Sequence, residues 1–282
     1  MSEQLRVAYQ GERGAFSEAA AQRLLGRDID GVPCPSFETM FESLGEGRAD
    51  CCVAPIENSL AGSIHRNYDL MLQFDLTIAA ETHLRVVHNL IAPRATRLEG
   101  VRRVYSHPVA LAQCTRFLAE HPEIEAVPVH DTAGGVRQVM ERNRHDEAGI
   151  ASETAALIYD GQILARGIED NPQNFTRFFL LTPQDETVAI RTKEPIRRWK
   201  TSIVFRVENK PGALFRALGA FALLEIDLAK IESRPIEGCP WEYAFYLDVI
   251  GGQHDPPIAR ALSNLGEIAQ MVRVLGTYPT RW

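Results

Sequence analysis

No stretch of this 282-residue chain is apolar for long enough to span a bilayer. Its first residues, MSEQLRVAYQGERGAFSEAAA, hold no apolar secretion core and no cleavage pattern. Both absences predict a cytoplasmic protein without a membrane partner. A basic stripe is also missing: 30 Lys and Arg stand against 37 Asp and Glu, a formal charge of −7, which argues against nucleic acid. Cysteine is scarce and odd in number (Cys34, Cys51, Cys52, Cys114, Cys239), without the paired CxxC spacing of zinc sites. Reduced thiols that mostly fill core space are therefore expected, not a disulfide or metal framework. His83 and His88 are spaced for neither one helix face nor one strand face, so no metal site is expected. Glycine-rich phosphate loops, redox-cofactor motifs, tandem repeats and low-complexity segments are lacking too, and no cofactor is predicted.

What is present is a globular mixture, 45% hydrophobic and 24% charged, with length for one large domain or two ordinary ones. Up to residue 183, short strands alternate with helices, the signature of parallel βαβ units and an α/β fold. LRVAYQG runs as a strand into a Gly-marked turn. FSEAAAQRLLG follows as a helix, with Ser17 near its start and Gly26 at its stop. DCCVAPIENS is an apolar strand entering a polar loop. VRRVYSHP ends at Ser106 before one helical run, VALAQCTRFLAE; EAVPVHDT ends at Thr132 and AGIASETAA at Ser152, each before a helix.

Polar residues thus recur where strands hand over to helices: Glu57, Asn58 and Ser59, then Ser106, Thr132 and Ser152. In open α/β sheets ligands bind outside the carboxyl ends of the strands, and helix N-termini there suit anions. Each Ser or Thr alone reads as an ordinary N-cap. Several around one crevice, with an arginine near, point to an anion site. That arginine stands in NPQNFTRFFLLTP (171–183), where Thr176 and Arg177 begin a run of apolar strand residues. A guanidinium buried there needs an anion or a set of acceptors.

The charged segment 184–199, QDETVAIRTKEPIRRW, shows weak periodicity and reads as a linker. A second unit follows over 200–282. KTSIVFRV alternates, and a helix carries Leu214, Ala217, Leu218 and Phe221. Two strand-like segments come next, then a helix with Ile258, Ala261, Leu262 and Leu265, and the closing MVRVLGTYP. The order βαββαβ is ferredoxin-like, in a unit of roughly 80 residues.

Read in order, PIENSLAGSI, YSHP with AQC after it, QNFTRF, GAL after Pro-Gly, and ESRPIEGCPWEYAFYLDV resemble prephenate dehydratase with a C-terminal ACT regulatory domain. The resemblance runs nearly end to end and is to the monofunctional form, since no chorismate mutase helices precede Val7. It implies a catalytic region (1–183) of two α/β lobes around a cleft, similar to type II periplasmic binding proteins, then the linker and an ACT domain (200–282). It also implies homodimers or homotetramers. Carried onto matching positions, it gives Thr176, Glu57, Asn58, Ser106 and Gln113 as catalytic residues, and Ser59, Thr132, Ser152, Arg177 and Phe178 as substrate contacts. An amino-acid effector, L-phenylalanine as an inhibitor, is implied at Pro211, Gly212, Ala213 and Leu214 with Glu232, Ser233, Arg234 and Pro235. Four positions depart from the family's usual residues: Val109 stands in place of Gln, Gly134 and Gly135 fall in an Ala-rich stretch, and Phe215 replaces Val. The last leaves tyrosine or a smaller apolar amino acid open as effector.

Prephenate carries two carboxylates, a ring diene and a hydroxyl. Losing carbon dioxide and water leaves an aromatic ring, so the enzyme has to hold two carboxylates and assist the leaving hydroxyl. The resemblance puts Thr176 at that hydroxyl as a hydrogen-bond donor; Glu57 is the rival if burial keeps it protonated. Neighbours on a strand face opposite ways, so Thr176 and Arg177 share one cleft only on an irregular backbone. Arg177 meets either a substrate carboxylate or a carboxylate of the protein. Phe178 reads as core or cleft wall. Two alternatives stand beside prephenate dehydratase. Arogenate dehydratase acts on a substrate with an amino group in place of the keto group and is not separable by spacing. A non-catalytic amino-acid-binding module has no need of Thr176, Glu57 and Ser106 together.

Overall fold

The computed structural model describes residues 4–184, 188 and 198–280. Most of the expected linker, 184–199, lies outside the described residues; its last two residues, Arg198 and Trp199, already belong to a strand.

The first strands and helices alternate as expected: β1 (Leu5–Gln10), α1 (Phe16–Leu25), β2 (Ile29–Cys34), α2 (Phe37–Gly45), β3 (Cys51–Asn58), a short β4 (Gly62–Ser63), α3 (His65–Gln73) and β5 (Leu76–Arg85). The chain then builds β6 (Asn89–Ala92), β7 (Arg103–Ser106), α4 (Pro108–Ala112), α5 (Thr115–Glu120), β8 (Glu125–Pro128), α6 (Thr132–Arg142), β9 (Glu147–Ala151), α7 (Glu153–Ile158) and β10 (Gln162–Ala165), and returns through β11 (Phe175–Pro183). Two sheets result, ordered β2-β1-β3-β11-β5 and β10-β6-β9-β7-β8, with β4 paired to β3. They are the sheets of two lobes. The β1–β2, β1–β3, β7–β8 and β7–β9 pairs are parallel, whereas β6 runs antiparallel to both β9 and β10. The core of the first lobe is apolar on both sides of its central strands, with Val7, Ala8, Tyr9, Cys52, Val53 and Ile56 wholly buried. Burial on both faces is why β1 and β3 read as continuous apolar runs.

The single helix expected in VALAQCTRFLAE is two. The chain leaves the helical conformation at Cys114 (φ −123°, ψ 32°), which is fully buried. The second helix restarts because the Asp170 carboxylate accepts from the backbone N–H groups of Thr115 and Arg116, at 2.9 Å each. That cap comes from far along the sequence, so no local pattern announces it. At α6 the cap is Asp131, not Thr132: its carboxylate accepts from Gly134 N at 2.7 Å. Gly134 and Gly135 are not loose points. A Cβ on Gly134 would fall 2.7 Å from the Asp131 carboxylate, and one on Gly135 3.0 Å from the Tyr105 carbonyl oxygen. The two glycines let the helix start lie against its own cap and against β7.

The remaining elements are β12 (Arg198–Arg206), α8 (Ala213–Ala222), β13 (Leu228–Ile236), β14 (Cys239–Ile250), α9 (Pro256–Ile268) and β15 (Met271–Thr280). Their sheet is ordered β13-β14-β12-β15, a ferredoxin-like βαββαβ arrangement. The residues read as periodic in α8 and α9 pack with Ile203, Phe205, Leu247 and Val249 in one apolar cluster. The opposite face of this sheet is polar yet buried: Ser202 donates to Asp248 at 2.5 Å, and Lys200 pairs with Glu81 at 2.8 Å. Thr280 also donates to Glu81.

By contacts, the described chain divides into two compact units. One gathers residues 4–70 and 82–180; the other gathers 71–81, 181–184, 188 and 198–280. Strands β5 and β11 therefore contribute residues to both, which a boundary drawn along the sequence does not express.

Candidate active site

The turn after β3 is built by one side chain. The buried Asn58 accepts from Leu60 N at 3.0 Å and Ala61 N at 2.9 Å through Oδ1. Its Nδ2 donates to Asn174 Oδ1 at 2.7 Å and to Thr176 Oγ1 at 3.0 Å. Ser59 ties the same turn to the approach of β11: its hydroxyl donates to the Gln173 carbonyl at 2.8 Å and accepts from Phe175 N at 2.9 Å. Asn174 Nδ2 then donates to Gln113 Oε1 at 2.8 Å, and His88 Nε2 meets the same oxygen at 3.0 Å. One hydrogen-bonded chain thus runs from Thr176 in β11, through Asn58 and Asn174, to Gln113 and His88 of the second lobe.

Within this chain Thr176 accepts from Asn58, and its hydroxyl proton finds no acceptor among the described residues. Thr176 is buried, at 8% exposure. Glu57, the rival acid, is half-buried. Arg177 lies on the other face of β11, as strand alternation requires, with its guanidinium 4.7 Å from the Phe179 ring centroid. The expected difficulty with two adjacent residues in one cleft therefore resolves in favour of opposite faces. Phe178 shares the Thr176 face but is 1% exposed, which places it in the core.

Two strand-end hydroxyls are already engaged. Ser106, wholly buried, donates to the Ile150 carbonyl at 2.6 Å, and the cap of α4 is instead His107, whose Nδ1 accepts from Val109 N. Ser152 caps α7 by accepting from Ala155 N at 3.0 Å, and donates to the Gly14 carbonyl of the first lobe at 2.7 Å. Thr132 is the first residue of α6, one place after its cap. A cleft of about 420 Å³ beside α6 is lined by Glu12, His130, Asp131 and Arg137 among others, and by none of the expected catalytic or substrate residues.

Burial lowers the pKa of His88, against smaller opposing effects of its bond to Gln113 and of Glu169. Burial also lowers that of His107, aided by His130. The Cys114 thiol is pushed up to about 12, first by burial and then by Asp170 and Glu169, which makes it an inert core group. Four of the five cysteines are buried, as their expected role requires. Among the described residues no cluster of His, Cys, Asp and Glu has metal-binding geometry, and no helix is long and apolar enough to cross a membrane.

His88, Asn174 and Glu169 were not among the expected site residues. His88 sits in an ordinary apolar context, and the Glu169 carboxylate that accepts from His88 N at 2.9 Å lies 81 positions away. Asn174 had a signal, since it precedes Phe175 inside QNFTRF.

In the C-terminal unit, Gly212 caps α8 in the left-handed region (φ 78°), where a glycine is favoured. Pro211 and Gly212 are exposed, Ala213 is buried, and Leu214 packs on the apolar cluster. Glu232 to Pro235 lie in β13, the edge strand of its sheet. Glu232 pairs with Lys230 at 3.6 Å, and Phe215 is 80% exposed.

The sequence pattern of the family described as prephenate dehydratase matches residues 7–186, and that of the ACT domain matches 201–267. An Arabidopsis thaliana protein named arogenate dehydratase/prephenate dehydratase 2, chloroplastic, is 45% identical over 289 residues, covering 98% of this chain and 73% of its own length. A solved prephenate dehydratase from Arthrobacter aurescens in complex with L-Phe is 31% identical, with a TM-score of 0.87 over 98% of this chain and 90% of that one. A solved structure described as GqqA, a novel type of quorum quenching acylase, is 33% identical with a TM-score of 0.87, covering 98% of each chain. The matches extend through the Asn58–Thr176 and Gln113 segments and across both units, and the chain belongs to the prephenate dehydratase family, carbon–oxygen lyases, with a C-terminal ACT domain.

Proposed function

We propose that the chain converts prephenate to phenylpyruvate in L-phenylalanine biosynthesis, in the cytoplasm, and that L-phenylalanine inhibits it through the ACT domain. The carrying observation is the polarity of the hydrogen bond at Thr176. Asn58 Oδ1 accepts from two backbone N–H groups, so its Nδ2 must face Thr176, and Thr176 must accept there. The hydroxyl proton is left to be donated. In the proposed reaction the bond between the ring and its carboxylate breaks, and its electrons move through the diene. The ring hydroxyl leaves with a proton as water, and carbon dioxide and the aromatic product remain. A preorganised donor at the leaving oxygen is the assistance this step needs.

The catalytic roles are assigned to Thr176, Asn58 and Gln113, with Glu57 and Ser106 beside them. Ser59, Thr132 and Ser152 are assigned to the surrounding substrate region, with Phe178 behind it in the core and Arg177 supporting β11 from its opposite face. Residues 1–183 form the catalytic region, 184–199 the linker and 200–282 the regulatory domain, assembled as a homodimer or homotetramer. The effector site is formed by Pro211, Gly212, Ala213 and Leu214 with Glu232, Ser233, Arg234 and Pro235. Support for phenylalanine comes from the Arthrobacter aurescens relative, which was solved in complex with L-Phe. Arogenate is the second reading, favoured by the names of the plant relatives. Turnover of purified protein on prephenate and on arogenate, with a chelator present, tests both. Higher kcat/KM on prephenate supports the first; turnover of arogenate alone transfers the assignment to the second; activity on neither overturns both.

A further inference from the structure

The amide chain at the site has a direction that can be traced from groups whose polarity is beyond choice. The N–H groups of Leu60 and Ala61 can only donate, so Asn58 turns Oδ1 to them and Nδ2 to Asn174. Asn174 must then present Oδ1 to Asn58 and Nδ2 to Gln113. Gln113 in turn must present Oε1 to Asn174, and the ring nitrogen 3.0 Å from that same oxygen, His88 Nε2, must carry the proton. His88 is thereby fixed as the Nε2–H tautomer. Its Nδ1 is left without a proton and without a partner among the described residues, at 2% exposure of the residue.

Two donors therefore converge on Gln113 Oε1, and the Gln113 backbone is pinned by accepting from Asp170 N at 2.7 Å. Gln113 Nε2 bonds to none of the described residues. The chain ends in two free donors, Gln113 Nε2 and the Thr176 hydroxyl, and a face made of donors suits carboxylate oxygens and a leaving oxygen.

We propose that His88 is a positioning residue for substrate recognition: its Nε2–H, with Asn174, holds the Gln113 carboxamide so that the amide nitrogen is turned to a substrate oxygen. Without that proton, one of the two donors that reject the flipped amide is gone, and Gln113 then presents its oxygen to an anionic group for part of the time. The inference rests on the proposed catalytic role of Gln113, which brings its side chain to the substrate. His88→Leu keeps an apolar fill of similar size, and His88→Gln keeps an N–H donor.

The full-length protein is tested with prephenate. His88→Leu is expected to lower kcat/KM roughly 10-fold, the loss from one misdirected hydrogen bond to a charged group, with His88→Gln restoring most of it. In a Gln113→Ala background His88→Leu is expected to cost nothing more. Equal losses in the two His88 variants, or losses that multiply in the Gln113→Ala background, overturn the inference and leave the reading of Gln113 standing. Wild-type kinetics for Gln113→Ala overturn both. Imidazole nitrogen spectra of the wild-type protein at neutral pH provide a check that needs no variant: the Nε2–H tautomer is expected at His88, and a proton on Nδ1 overturns the inference.

Discussion

A Cβ added to Gly14 would lie 2.8 Å from Cα of Ala155, closer than side-chain carbons approach backbone. Gly14 belongs to the loop after β1 and Ala155 to α7, so the two lobes touch at a point where only a glycine fits. Around it, Ser152 donates to the Gly14 carbonyl, Tyr159 donates to the Arg13 carbonyl at 3.0 Å, and Arg137 pairs with Glu12 at 3.0 Å. The lobes lie in apposition, with the Gly14 backbone against the backbone of Ala155.

Gly14→Ala is accordingly expected to hold the lobes apart. The residue has φ 88°, so strain adds to the steric contact, and a stability loss of about 1–3 kcal/mol is expected. Small-angle scattering would record a larger radius of gyration, and kcat/KM would fall while the secondary structure persisted. An unchanged scattering profile together with unchanged kinetics would remove the contact from any role in closure.

Thr176→Val removes the donated proton and is expected to lower kcat by about 10²–10³. Thr176→Ser keeps the hydroxyl and should retain much of the rate. Asn58→Asp is the sharper test, because a carboxylate at that position accepts from Thr176 and captures the proton. It should resemble Thr176→Val in kcat. Near wild-type turnover of Thr176→Val with an inactive Glu57→Gln would move the acid to Glu57.

The Lys200–Glu81 pair is buried on both sides, with side chains 6% and 2% exposed. Removing one partner strands a charge in a dry site, so Glu81→Ala should destabilise by about 3–5 kcal/mol. The paired change Glu81→Leu with Lys200→Met should recover most of that loss. Denaturant unfolding of the three proteins provides the comparison; a small loss in Glu81→Ala would mean that water reaches Lys200.

His88 predicts a pH dependence. Burial sets its folded pKa below its unfolded value near about 6.5. Between the two values the unfolded chain binds the proton and the folded chain does not, so stability rises with pH. The stabilisation is complete above the unfolded pKa and is lost as pH falls toward the folded one. Glu169 opposes the shift and is itself engaged by Arg85 at 3.3 Å. Thermal midpoints across pH 5 to 7, roughly the window of an imidazole, should show a shallower acid fall in His88→Gln than in the wild type. His107, also lowered by burial, supplies the residual slope.

At the proposed effector site, L-phenylalanine should bind with heat release and lower activity, with a coupling of about 1–3 kcal/mol. A Cβ on Gly212 would sit 3.1 Å from Arg216 Nη1 in a left-handed conformation. Gly212→Ala should therefore weaken binding and inhibition together while leaving kcat without effector unchanged. Inhibition that survives in this variant at wild-type concentrations would locate the response elsewhere.

The periodic residues of α8 and α9, the alternation of β12 and the apolar runs of β1 and β3 were legible because burial repeats at fixed intervals along a helix or strand. The motifs likewise marked Asn58, Gln113 and Thr176. Two other features depended on groups distant in sequence, and a third, the cap of α6, was local but lay one residue before the expected one. Asp170 divides one expected helix into two by capping its second half. Asp131, not Thr132, serves as the cap of α6 because glycines let the helix approach it. His88 joins the site only because β6 brings it beside Gln113 and Asn174. The direction of that amide chain was settled by the tertiary structure alone. Sequence supplies the donors and acceptors, but which way an amide faces is decided by the fixed backbone N–H groups that folding brings against it.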